Sequence, residues 1–241
     1  MVDFNKMPAL ILPIAELQKW GNLWLGDVNP ENGKPKEKQC FDRFQSVNFA
    51  AFVDQEFGKC LAKMLGDISV KPAAKGLIPP SEECVEVGAV RIIGGVRPQS
   101  FDVAYRPDGP RVVFDSKTLN DIKSVGKNWQ NMINDLATEA TTVHTRFPYA
   151  IVSFMVLIPT PCLGVKQQAD IIRTLERLGS RTNVLNQSHL AEVISLVIWD
   201  PQTGLVDSSI PPKDSPLRIE KFSDTLYPHY VSRYKGLPPH D

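Results

Sequence analysis

Apolar positions recur along the chain with two periods, and each change of period marks an element. Ile14, Leu17, Trp20 and Trp24 repeat at helical spacing behind Pro13, which predicts a first helix over residues 13–25. Residues 27–39 are polar, carry two prolines and a glycine, and read as a loop. A long helix is predicted over 45–65, with Phe49, Phe52, Val53, Phe57, Cys60 and Met64 on one face at 100° per residue. Strands follow at 85–93, 100–106 and 111–118, the last two joined by the turn Pro107-Asp108-Gly109-Pro110. Ile122, Val125, Trp129, Met132, Ile133, Leu136, Ala140 and Val143 predict a helix over 119–143. A buried strand at 150–158, a helix at 166–178 stopped by Gly179, and a buried strand at 193–199 complete the regular part. Continuously apolar strands between helices imply an α/β fold, a mixed sheet covered by helices on both faces.

Composition changes this picture little. With 241 residues, 42% apolar and 22% charged, the chain has room for one large core, so a single domain is expected. Its expected parts are an N-terminal helical and loop extension (1–44), a core (45–205) and a Pro/Tyr-rich extension (206–241) packing on that core. Lysines plus arginines equal aspartates plus glutamates at 27 each, so no global positive charge advertises nucleic acid. That counts against a non-specific binder and leaves room for an enzyme with a local basic groove. Cys40, Cys60, Cys84 and Cys162 have no zinc-like spacing and read as reduced core thiols. No apolar run has membrane length, so the expectation is a soluble, cytoplasmic protein with no membrane partner. His144, His189, His229 and His240 have no triad or metal spacing and read as solvated or structural. Gly94-Gly95 lies outside any nucleotide-binding pattern.

The candidate chemistry sits on the hairpin. Folding about Asp108-Gly109 sets Asp102 directly across from Asp115, with Cβ atoms about 5 Å apart. Lys117, two residues on, points to the same face. Paired carboxylates repel unless neutralised; a lysine helps, and a divalent cation helps more. Oxygen-only ligation suits Mg²⁺, which can polarise a phosphodiester and activate water. The competing reading is a salt bridge on a twisted hairpin. Val103, Ala104, Val112, Val113 and Phe114 make that hairpin interior, an odd place for like charges without a role. Glu56 falls near the middle of the apolar stripe of the 45–65 helix, as a tolerated edge position or as a carboxylate aimed at the site.

Asp102, twelve residues, then Asp115-Ser116-Lys117 resembles the bipartite motif of the PD-(D/E)xK nucleases, which include many type II restriction endonucleases. The order helix, strand, hairpin, helix, strand over residues 45–158 matches that family's core, and Phe101 stands where it often has proline. A literal Pro107-Asp108 also occurs, but at the hairpin tip, on the order of 23 Å of extended chain from Asp115. The resemblance implies a restriction-endonuclease-like fold and a Mg²⁺-dependent endonuclease cutting duplex DNA. In that reading Asp102, Asp115 and Glu56 are metal ligands, and Lys117 serves the attacking water. A two-fold homodimer is implied if both strands of a palindrome are cut. Lys123, Lys127, Gln130, Asn131 and Asn134 are candidate DNA contacts on the 119–143 helix, against a plain solvated face; Arg173, Arg177 and Arg181 form a second basic row. Two other readings stand beside this one: an inactive binding module on the same fold, and a structure-specific repair or junction-resolving nuclease.

Overall fold

The computed structural model describes residues 6–30 and 33–240. Six strands form one sheet in sequence order: β1 (Ser69–Pro72), β2 (Cys84–Ile93), β3 (Pro98–Tyr105), β4 (Val112–Thr118), β5 (Ile151–Pro159) and β6 (Val193–Trp199). β3 runs antiparallel to both of its neighbours, β2 and β4, whereas β1 joins β2, β5 joins β4 and β6 joins β5 in parallel. Parallel neighbours need a crossover. Helix α3 (Val125–His144) makes the one from β4 to β5, and α4 (Val165–Leu178) the one from β5 to β6. Helices α1 (Ile14–Leu25), α2 (Arg43–Met64) and α5 (Ile219–Tyr234) complete the chain. Among the described residues no helix is long and apolar enough to cross a membrane.

Strand alternation assigns the faces. Phe114 of β4 stacks on Phe57 of α2, centroids 4.0 Å apart, and Phe222 of α5 meets both rings edge-on, so α2 and α5 share one face. Lys117, three positions on, reaches Glu139 of α3 on the other face. With both faces covered, every residue of β5 and β6 is buried.

α2 starts at Asp42, whose side chain accepts the Gln45 N–H in a reciprocal capping box. It approaches the sheet most closely at Gly58, where a Cβ would lie 2.7 Å from Val87 Cγ2. The β3–β4 turn needs Gly109, with φ +132°. At the opposite end the β2–β3 turn sits on α3: the Gly95 N–H donates to the Thr142 carbonyl at 2.8 Å, and a Cβ on Gly94 would strike Thr142.

Three elements differ from the sequence reading. The crossover helix starts at Val125, not at 119, because the Leu119 N–H still donates to the Leu157 carbonyl and Asp121 turns the chain by accepting the Lys123 N–H. β1 is a four-residue, partly exposed edge strand with no apolar run to announce it. The Pro/Tyr-rich extension contains α5, which lies against β5 and β6 and buries Phe222, Leu226, Tyr230 and Tyr234 at helical spacing around the internal Pro228. A buried ionic knot secures it: Glu192 accepts Arg181 Nη1 at 2.5 Å, Arg233 Nη1 at 2.8 Å and the Val152 N–H at 2.9 Å, with His144 Nε2 at 3.2 Å.

Candidate active site

The β3–β4 register pairs Tyr105 with Val112, Ala104 with Val113 and Val103 with Phe114; Asp102 and Asp115 follow one residue beyond the last of these pairs, where the β2–β3 register also shifts. Asp102 Oδ2 accepts the Ser116 N–H at 3.1 Å. The two carboxyls meet closely enough to hydrogen-bond when Asp102 is protonated. Lys117 Nζ donates to Asp115 Oδ2 and, at 3.0 Å, to Glu139 Oε1, which also receives Gln99 Nε2 at 3.3 Å. α2 brings Asp54 to Ser116 from the other side of β4; Asp54 feels the charge of Asp115, and Asp102 feels that of Asp54. Four carboxyl groups and one ammonium therefore gather around the middle of β4.

Excess negative charge in a dry site shows in the acidities. Burial pushes Asp102 up to about 10, helped by the hydrogen bond and charge of Asp115, against the Ser116 N–H. Burial also raises Asp54 to about 7, with the Ser116 hydroxyl opposing and Asp115 adding to the rise. Glu139 rises to about 8 through burial and the charge of Asp115, only partly offset by Lys117. Burial alone would lower Lys117, but Asp115 and Glu139 outweigh it and hold the ammonium well above its usual value.

These residues fit a hard divalent cation in donor type and in charge. All the acidic donors are oxygens. Asp54 Oδ1, Glu139 Oε2 and Ser116 Oγ are buried without a well-formed hydrogen bond, an arrangement that a cation or an ordered water would satisfy. Among the described residues no three acidic or histidine side chains already form a ligand cage. The part in place is the pair Asp102 and Asp115.

Of the residues singled out from sequence, Asp102, Asp115 and Lys117 come together. Glu56 does not join them: it ion-pairs with Lys59 at 2.7 Å on a partly exposed side of α2, and the acid from α2 that reaches the cluster is Asp54. Glu139 and Gln99 were not foreseen. Glu139 lies beside Leu136, Ala140 and Val143 on the buried face of α3, a position where a carboxylate signals a partner. Lys127, Gln130, Asn131 and Asn134 are exposed, and Lys123 ion-pairs with Glu37. At 100° per residue Gln130 projects opposite Glu139, and Lys127 and Asn134 turn away from it as well, whereas Asn131 lies nearer its side of α3. Arg181 leaves the proposed basic row for the buried Glu192 knot. The four cysteines are free. His144 and His240 are buried in structural contacts, with Glu192 and with Tyr230.

Compared with protein-family models, with curated proteins and with solved structures, the chain matches none.

Proposed function

We propose that this protein is a Mg²⁺-dependent endonuclease hydrolysing DNA phosphodiester bonds, with a restriction-endonuclease-like arrangement of sheet and helices. The observation that carries the reading is that the carboxyls of Asp102 and Asp115 meet beside Lys117 on an interior hairpin. Support comes from the order of elements: α2, the antiparallel β2–β3–β4, crossover α3 and parallel β5. Asp102 and Asp115 would hold the cation, with Asp54 of α2 a further acid whose charge Asp102 feels. Mg²⁺ supplies charge to polarise the phosphate and to stabilise the leaving oxygen. Lys117, kept cationic by two carboxylates, orients the attacking water and offsets charge that develops on the phosphate. Cleavage of both strands at a palindromic site would require a two-fold pair of chains.

The test is digestion of a large mixed duplex DNA with and without Mg²⁺, by wild type and Asp115→Ala. Discrete metal-dependent bands that vanish in the variant are expected. A metal-dependent smear lost in the variant keeps the nuclease and removes restriction-type specificity. No cutting of duplex, single-stranded or branched DNA by the wild type refutes the proposal and favours the inactive binding module.

A further inference from the structure

Glu139 is the one acid of the cluster supplied by α3, and three observations set it apart from a surface ion pair. Its side chain is 8% exposed. One oxygen, Oε1, takes both Lys117 Nζ at 3.0 Å and Gln99 Nε2 at 3.3 Å. The other, Oε2, is buried without a well-formed hydrogen bond, on a carboxyl that also lies beside that of Asp115, whereas a buried pair kept for stability ordinarily satisfies both oxygens. The backbone invests in the contact as well. Gly94 and Gly95 let the β2–β3 turn close on Thr142, one turn beyond Glu139, which fixes Gln99 and α3 relative to each other.

We propose that Glu139 is a positioning residue for Lys117: held by Gln99, it fixes the ammonium over Asp115 so that the lysine meets the reacting phosphate in one orientation. The inference rests on the nuclease reading for its phosphate, but the clamp itself does not. Without Glu139 the flexible lysine stem keeps only Asp115, two residues away on the same strand, and swings about that contact. A misplacement of about 1 Å in such a group costs on the order of 100-fold in rate.

The experiment has two arms on the full chain. In the first, competitive acylation with acetic anhydride, read by mass spectrometry without metal or DNA, compares Lys117 with the exposed Lys123 and Lys127. Above pH 8, where Glu139 is ionised, Lys117 is expected to label more slowly than both in the wild type and on the order of 10-fold faster in Glu139→Gln, once the neighbouring charge is lost. Glu139→Asp and Gln99→Leu should fall between; they carry the test if Glu139→Gln fails to fold. Unchanged Lys117 labelling in all three folded variants overturns the clamp. In the second arm, single-turnover cleavage by Glu139→Gln is expected to fall roughly 100-fold with DNA affinity in Ca²⁺ unchanged, and Glu139→Asp to recover part of the rate. A variant that loses Lys117 protection yet cleaves at the wild-type rate overturns the positioning role. If the wild type cuts no DNA, the nuclease reading and with it the phosphate-directed role fail, while the acylation arm still decides the clamp.

Discussion

Asp54 offers the sharpest test of the charge balance in the site, because its ionisation should weaken the metal-free fold. Its ordinary value of 3.8 is raised to about 7 by burial, with the charge of Asp115 adding to the rise and the Ser116 hydroxyl opposing it. Between roughly pH 4 and pH 7 the folded chain keeps a proton that the unfolded chain has lost, so stability falls as pH rises through that window and is flat above it. The full difference corresponds to about 4 kcal/mol. Glu139, raised to about 8, adds a loss of the same sign over its own window. Asp54→Asn removes the ionisation but leaves a buried amide to satisfy, which gives back roughly 1 kcal/mol or more. At pH 8 in a chelator the variant should therefore be about 2–4 kcal/mol more stable, a rise of ~5–15 °C in Tm for a chain of this size. At pH 4 the gain should vanish. Thermal unfolding at both pH values reads the difference directly. An equal gain at both values, or a loss at pH 8, refutes the reasoning. Adding Mg²⁺ at pH 8 should raise the wild type towards the variant, since the cation would offset the same carboxylates.

Glu192→Gln leaves Arg181 and Arg233 buried without a counter-charge and should cost about 3–5 kcal/mol in urea unfolding at pH 7. Burial would raise Glu192, but His144 and Arg233 hold it down to about 2. Its stabilisation is therefore complete above about pH 4.5 and lost as pH falls towards 2, so the gap between variant and wild type should close over that range. Gly58→Ala places a Cβ 2.7 Å from Val87 Cγ2 and should cost about 1–3 kcal/mol; Val87→Ala in the same chain should recover most of it, and no recovery would mean that α2 approaches the sheet differently.

The hairpin was legible in the sequence because two discrete rules meet there. A strand has period two, and the Pro107-Asp108-Gly109-Pro110 turn fixes the register, so a register that brings Asp102 to Asp115 follows from counting, and the observed pairs down to Val103–Phe114 keep it. The same counting puts Lys117 beside Asp115. The buried strands β5 and β6 were equally plain, as apolar runs of the right length bounded by turn residues. The C-terminal helix is obscured by its composition: a proline inside a helix weakens the helical signal, and Pro228 sits within α5, although Phe222, Leu226, Tyr230 and Tyr234 keep the period throughout.

The helix acids were harder for a physical reason that α2 makes concrete. Asp54 and Glu56 differ by 200° around the helix axis, yet both adjoin apolar residues. α2 is covered on two sides. Val53, Asp54, Phe57, Gly58 and Leu61 turn to the sheet, whereas Phe52 and Cys60 stay half-buried on the side where Cys60 Sγ lies 3.9 Å from the Ala9 carbonyl of the N-terminal segment. Summed along the sequence, the two stripes merge into one broad arc whose centre falls near Glu56, a direction that faces neither the sheet nor Asp115. The distinguishing mark was Gly58, four residues after Asp54. A glycine within a long helix is expensive unless the backbone must come close to something, and the side on which it does so faces the sheet. Glu139 follows the same logic on α3, inside the arc of Leu136, Ala140 and Val143. A carboxylate within such an arc is a site candidate only when the phase of the helix is known. That phase is set by what docks on the helix, and the pattern of a single helix does not contain it.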